Sequence, residues 1–277
     1  MKKTLTTYLF VLGLATFLSV GSSVMAQQVP EPVKNNEVVA RVSVEEEIEK
    51  IRATYRGQLT EYRDAEKEFV IAKDQYKQLQ TLASINKVTE AARKVFMLRD
   101  QVLITYLNLQ RSNIYAAEGI ELSLKELVIS RIEQEGRWLV DHKNRVEKML
   151  DRTQFNALAD EFTTKEDDFI EVTSQATMIL ALGGLQDVHD RLVLARAEIF
   201  ELEAKSSTAD RTRASKETDR WITQVKDLLA KTWVELGDDV KDNKVMSFAS
   251  NSVKTLEPIY AGLNKTVSFL EELLREQ

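Results

Sequence analysis

From Ile48 to Ala83 the chain advances by alternating threes and fours through Ile48, Ile51, Tyr55, Gln58, Tyr62, Ala65, Phe69, Ala72, Tyr76, Leu79 and Ala83. Only Gln58 is polar in that series. A 3–4 spacing returns side chains to one stripe of an α-helix and to no single face of a strand, so this pattern alone selects a helix. Sustained for about five heptads, it predicts a rod of about 60 Å that must lay its stripe against another helix.

The stripe has a second order. One heptad position reads Ile48, Tyr55, Tyr62, Phe69 and Tyr76; the other reads Ile51, Gln58, Ala65, Ala72 and Leu79. Large rings next to small side chains interlock in a packed seam. Each ring buried contributes about 1.5–3 kcal/mol. Packing is favoured over an aromatic ladder for a ligand, and the stripe Tyr55, Tyr62, Phe69 and Tyr76 is also the candidate surface for self-association.

The remainder reads as helix nearly throughout. The sequence holds 3 Pro and 9 Gly in 277 residues, and Ala, Leu, Glu, Lys and Arg are frequent. Ser43 with Glu46 has the spacing of a capping box for the first helix. A break over 81–86, with Ser84 as the next N-cap, reverses the chain. The second helix carries Val88, Ala91, Val95, Leu98, Val102, Thr105 and Leu109, widened by Phe96, Leu103 and Leu107, and Gly119 ends it. Ser123 with Glu126 suggests the third start, followed by Val128, Ile132, Glu135, Leu139, His142, Val146 and Met149. Thr153 or Thr164 begins a fourth stretch, which Gly183-Gly184 interrupts. Leu185, Val188, Leu192, Ala195, Ile199 and Leu202 form a fifth seam. A polar turn over 206–212 marks a candidate sub-boundary. Ile222, Val225, Leu229, Thr232 and Leu236 make a sixth helix closed by Gly237-Asp238-Asp239. In the last segment, with Val245, Phe248, Val253, Leu256, Leu263, Val267 and Leu270, Pro258 marks a kink or a fresh start capped by Thr255. Long helices joined by short breaks predict an all-α, elongated antiparallel bundle with coiled-coil-like helices.

The N-terminal end bears on location. Lys2 and Lys3 precede an apolar run over 5–20, and Val24-Met25-Ala26 supplies small residues for cleavage before Gln27. Residues 1–26 are expected to be a signal peptide, 27–42 a flexible linker with Pro30 and Pro32, and 43–277 the bundle. The protein is expected to be exported, to the periplasm or the extracellular space. If residues 5–24 stay uncleaved they tether it to a membrane, and that is the one membrane association expected. No cysteine is present, so disulfides, lipidation at cysteine and thiolate metal sites are excluded. The formal charge is −6. An acidic protein repels nucleic acid, and none is expected as a partner.

The chemical inventory is thin. His142 lies seven residues from Glu135 on an otherwise apolar stripe, about two turns apart and out of mutual reach without a neighbouring helix. A histidine bonded within the bundle is favoured, with a ligand site at Glu135 and His142 as the sharper alternative. His189, beside Asp190, is expected to be partly exposed. The acidic clusters Glu45-Glu46-Glu47, Asp160-Glu161, Glu166-Asp167-Asp168 and Asp238-Asp239 suit helix starts and turns and lack calcium-loop spacing. Lys205, Arg211, Arg213, Lys216 and Arg220 form one basic patch, offset by Asp210, Glu217 and Asp219. There is no phosphate loop and no nucleophile elbow.

These readings predict an exported, non-enzymatic helical protein that works by contact with an unidentified protein partner or a second copy, with no catalytic residue, cofactor or metal. The alternative is an exported small-molecule or metal sensor with its site near Glu135 and His142. On the packing reading, replacing His142 by leucine keeps or raises the melting temperature.

Overall fold

The computed structural model describes residues 35–205 and 213–275, with side chains described for 43–151, 153–202, 213–244 and 254–275. The expected leader over 1–26, linker residues 27–34 and the turn over 206–212 lie outside these, as do the side chains of Val245, Phe248 and Val253. The described residues form six helices and no strand: α1 (Asn35–Leu79), α2 (Leu82–Ala116), α3 (Leu122–Glu147), α4 (Arg152–Lys205), α5 (Arg213–Asp242) and α6 (Val245–Arg275). The fold is an all-α helical bundle. None of these helices is long and apolar enough to cross a membrane. The chain divides into two units, Met1–Glu46 and Glu47–Gln277; within the second, successive helices pack as follows.

α1 lies antiparallel on α2. Tyr55, Tyr62 and Ala65 are buried against Val95 and Val102, with Leu59, Phe69, Phe96, Leu98 and Tyr106 packed around them. Tyr55 packs against Tyr106 with the rings tilted by 38° and 5.5 Å between their centres, and Lys94 reaches Glu68 at 2.7 Å. α3 runs back along α2, with Lys143 bonded to Gln101 at 2.6 Å and Arg111 facing Glu133. The first part of α4 returns along α3, where Arg145 meets Glu161 through two 2.6 Å bonds. The second part of α4 instead packs with α5 and α6. Ile199, Ala214, Leu270 and Leu273 form the core there. Thus α4, 54 residues long, is shared by two helical groups.

Several breaks differ from those read in the sequence. Residues 35–42, expected in the linker, are helical, and Ser43 is interior to α1 rather than its cap. No proline or glycine stands between Pro32 and Gly57, so nothing stops the helix from extending back. α1 ends at Leu79 because Gln80 adopts φ +47 and its N–H returns to the Tyr76 carbonyl, a left-handed helix stop. The next N-cap is Thr81, not Ser84. Ser84 is the third helical residue and completes a reciprocal box with Thr81. α2 stops at Ala116, before Gly119. The N-cap of α3 is Glu121, with no side-chain cap bond, rather than Ser123. Asp151 starts α4 by accepting from the Gln154 N–H at 2.9 Å.

α4 passes through Gly183-Gly184 without interruption. Gly183 is there for proximity. A Cβ on it would sit 2.4 Å from Ile120 Cγ1, and one on Gly119 (φ +72) would sit 2.6 Å from the Gly183 carbonyl. The α2–α3 loop crosses α4 at backbone distance, which only paired glycines permit. α5 likewise runs past Gly237 to Asp242, where Asn243 at φ +60 closes it. Its N–H bonds the Val240 carbonyl while the Lys244 N–H bonds that of Asp239. Pro258 lies inside α6, which continues through it.

Candidate functional site

The stripe of α3 places both of its polar members in the core. His142 is fully buried and Glu135 nearly so. They do not meet each other; each finds a partner on a neighbouring helix.

For His142 that partner is Asp100 of α2. Asp100 is spaced by four from Phe96 and by three from Leu103 along the second apolar column of α2, so the helix carries its carboxylate inward. Nδ1 of His142 lies 2.6 Å from Asp100 Oδ2, and Nε2 lies 3.1 Å from the carbonyl of Leu158 on α4. That carbonyl only accepts, so Nε2–H donates to it. Two atoms 2.6 Å apart on the other side must share a proton between them. The second oxygen of Asp100 accepts from Nε and Nη2 of Arg99, each at 3.2 Å. One ring therefore ties α2, α3 and α4 at a single level, with both its nitrogens occupied.

Aromatic rings enclose this tie. Trp138, one turn before His142, stacks on the imidazole at 4.9 Å and 14°. Phe162 of α4 sits beside both rings, 5.8 Å from His142 and 6.2 Å from Trp138, and Phe169 packs edge-on against Trp138 at 5.5 Å. The Arg99 guanidinium lies over Phe162 at 3.2 Å and Phe96 at 4.5 Å, so the cage of rings already holds a cation supplied by the chain itself. Burial raises the Glu166 carboxyl above its ordinary range, with Asp167 adding to the rise and Arg99 opposing it. Glu161, hydrogen-bonded to Arg145, is held below the ordinary carboxylate range.

Glu135 bonds Lys165 of α4 at 3.0 Å through Oε1. Its Oε2 is buried with no hydrogen-bond partner. Lys165 also contacts Asp168 at 2.6 Å. Burial works against its charge, but the two carboxylates more than offset that and raise it.

His189, expected to be partly exposed, is buried. It repeats the device one helix later: Nε2 is 3.2 Å from the Ile222 carbonyl of α5 and Nδ1 is 3.1 Å from Asp190. A third tie centres on Arg131 of α3. Nη1 donates to Gln175 of α4 at 2.8 Å and to the Val240 carbonyl of α5 at 2.5 Å, while Gln175 donates to Asn243 at 2.9 Å. Burial lowers Arg131, opposed by Glu171.

Tyr55 and Tyr62 of the aromatic stripe are buried against α2, Phe69 and Tyr76 half-buried. Phe69 also approaches Phe155 at 6.4 Å. The face read as a candidate self-association surface is therefore turned onto the chain's own second helix. Sequence reasoning missed Arg99, Asp100 and Arg131. The available signal was an aspartate standing in the Phe96, Leu103, Leu107 column.

Chemically, these groups hold helices together: each ring nitrogen and each Asp100 oxygen is engaged within the protein. Among the described residues no three His, Asp or Glu side chains are placed to hold a metal. The grooves at the surface are open. The groove of about 540 Å³ where α3, α4 and α5 meet is lined by Trp233, Leu124 and Leu127, with Glu121, Asp238 and Lys241 at its edges. No protein-family model, curated protein or solved structure matches the chain.

Proposed function

We propose that this chain is an exported, non-enzymatic helical-bundle protein that acts by binding other proteins in the cell envelope or outside the cell. The observation that carries the reading is the set of large apolar side chains on outer helix faces. Val70 and Ile71 of α1 are 49% and 56% exposed, Leu194 of α4 is 66% exposed and Tyr260 of α6 is 61% exposed. Rings and aliphatic chains left in water on rigid helices favour docking against a complementary surface. Export is supported by the order of charge, apolar run and small residues over 2–26. Crosslinking in the source cell followed by mass spectrometry tests the contact. Reproducible links from these faces to another protein are expected; links confined to the chain itself overturn it. The secreted form should begin at Gln27, and retention of the full chain inside the cell removes export.

A sensor at Glu135 and His142 is supported by one atom, the unpartnered Oε2 of Glu135. Its test is a thermal shift with zinc(II). A rise in melting temperature that Glu135→Gln abolishes favours the sensor; no shift dismisses zinc.

A further inference from the structure

α4 and α6 each carry a heptad seam of which alternate positions are covered. On α4 the seam is Val188, Leu192, Ala195, Ile199 and Leu202; on α6 it is Tyr260, Leu263, Val267, Leu270 and Leu274. Ile199, Leu263 and Leu270 are buried, and Leu192 packs against the Ile199–Leu270 cluster. The alternate positions stand open, except the half-buried Ala195. Val188 is 41% exposed, Leu202 51%, Tyr260 61%, Val267 38% and Leu274 58%.

The open positions border one groove. α5 runs antiparallel to α4, because His189 reaches the Ile222 carbonyl and Arg196 reaches Asp219. It also runs antiparallel to α6, because Gly262 lies against Val225 and Lys265 covers Trp221. Hence α4 and α6 are parallel. With Ile199 beside Leu270 and Leu273, the common 1.5 Å rise brings Val188 level with Tyr260, Ala195 with Val267 and Leu202 with Leu274. On α4, the residues that reach α5 fall on one side of the Leu192–Ile199 line and the open positions on the other. On α6, Gly262 and Lys265 fall on one side of the Leu263–Leu270 line and the open positions on the other. Both open rows thus face away from α5 as two parallel ridges about 21 Å long, the length of a helix of about four turns.

Charge selects the occupant. Among the described side chains, Asp187 and Glu198 on α4 and Glu257 and Glu271 on α6 flank the ridges. The cations there are Arg191, 3.0 Å from Asp187, and Arg275, 3.8 Å from Glu271. The flanks are net acidic. The same face of a second copy would set carboxylates against carboxylates, whereas a helix with an apolar ridge between lysines or arginines meets opposite charge and covers the open heptad positions. We propose that the α4–α6 face is a docking groove for a basic amphipathic helix of a partner protein. This rests on the reading of the chain as a contact protein and names its surface and partner chemistry.

The test titrates the full chain into a labelled peptide of about five helical turns, leucine at 3–4 spacing with lysine elsewhere, read by fluorescence anisotropy. The matched leucine/glutamate peptide is the control. Saturable binding of the lysine peptide is expected, weakened at least about tenfold by Leu202→Ser/Val267→Ser. Glu198→Lys/Glu257→Lys should weaken it similarly and admit the glutamate peptide. Leu122→Ser on α3, where the side chain is 68% exposed and far from this face in the chain, should change nothing. All these side chains are exposed, and circular dichroism melts verify that each variant folds. Absence of saturable binding, or binding indifferent to both α4–α6 variants, overturns the proposal. So does a wild-type dimer in sedimentation that Leu202→Ser/Val267→Ser dissolves, which would assign the face to a second copy. In-cell crosslinks from other helices alongside such a failure would leave the contact reading standing and remove this groove alone.

Discussion

His142 is the residue whose role changes most once its neighbours are known. On its own stripe it looks replaceable by leucine without loss. In the fold, that replacement leaves one oxygen of Asp100 unbonded inside the core and takes a donor from the Leu158 carbonyl. Removing one partner of a buried pair costs about 3–5 kcal/mol, so His142→Leu should lower stability by roughly 3 kcal/mol in urea unfolding. A cycle with Asp100→Asn should give a coupling of at least about 1 kcal/mol; independent effects would deny the tie. Tyr55 makes a second residue-scale prediction. Burial, reinforced by Tyr106 and opposed by Arg63, pushes its phenol from 10.0 up to about 12. An acid whose proton is held more tightly in the folded state stabilises the fold in full below the unfolded pKa. That stability is lost as pH rises from 10 towards 12, amounting to about 3 kcal/mol at most. Phenolate absorbance at alkaline pH should lag the guanidinium-unfolded chain, and Tyr55→Phe should shrink the lag, leaving the part due to Tyr106, whose phenol burial also raises.

Helices were legible from heptad spacing, and their ends much less so. Ser84 was read as the cap of the second helix, but Thr81 stands there, because Gln80 accepts a left-handed conformation one position earlier. Gly183-Gly184 shows the opposite error. A glycine pair in a helical pattern ordinarily signals a stop, yet here Gly183 serves the crossing with Ile120, a contact between segments more than 60 residues apart in the chain. The two glycines should therefore respond oppositely to alanine. Gly183→Ala places a methyl against Ile120 and the loop and should destabilise by about 1–3 kcal/mol. Gly184→Ala meets open space and should stabilise by about 0.5–1 kcal/mol through helix propensity. Calorimetric melts of the two variants check the sign; equal shifts would mean the crossing is not tight.

Within the second unit, α4 belongs to both helical groups, and the Arg131 tie joins the start of α3 to the end of α5 across it. Arg131→Met removes a donor from Gln175 and from the Val240 carbonyl, both in part-buried surroundings. Native-state hydrogen exchange should then show amides of α5, α6 and the second part of α4 opening about 2 kcal/mol more easily than those of α2 and α3. A uniform drop across all six helices would mean that the groups unfold as one.

The amino-acid sequence determined the class of the fold. Absence of cysteine, scarcity of helix breakers and 3–4 apolar spacing are local properties, and local properties suffice to make helices and to say which stripe of each is greasy. It also placed Glu135 and His142 on a buried stripe, because burial follows periodicity. What it left undetermined was pairing: Asp100 for His142, Lys165 for Glu135, Ile120 for Gly183, and α2 rather than a second copy for Tyr55 and Tyr62. Those are choices among surfaces distant in the chain and similar in composition. They are settled only when shape, charge and hydrogen-bond satisfaction are met together in three dimensions. The half-covered seams of α4 and α6 illustrate the division, since sequence marks every second apolar position alike and tertiary packing decides which of them are left open to water.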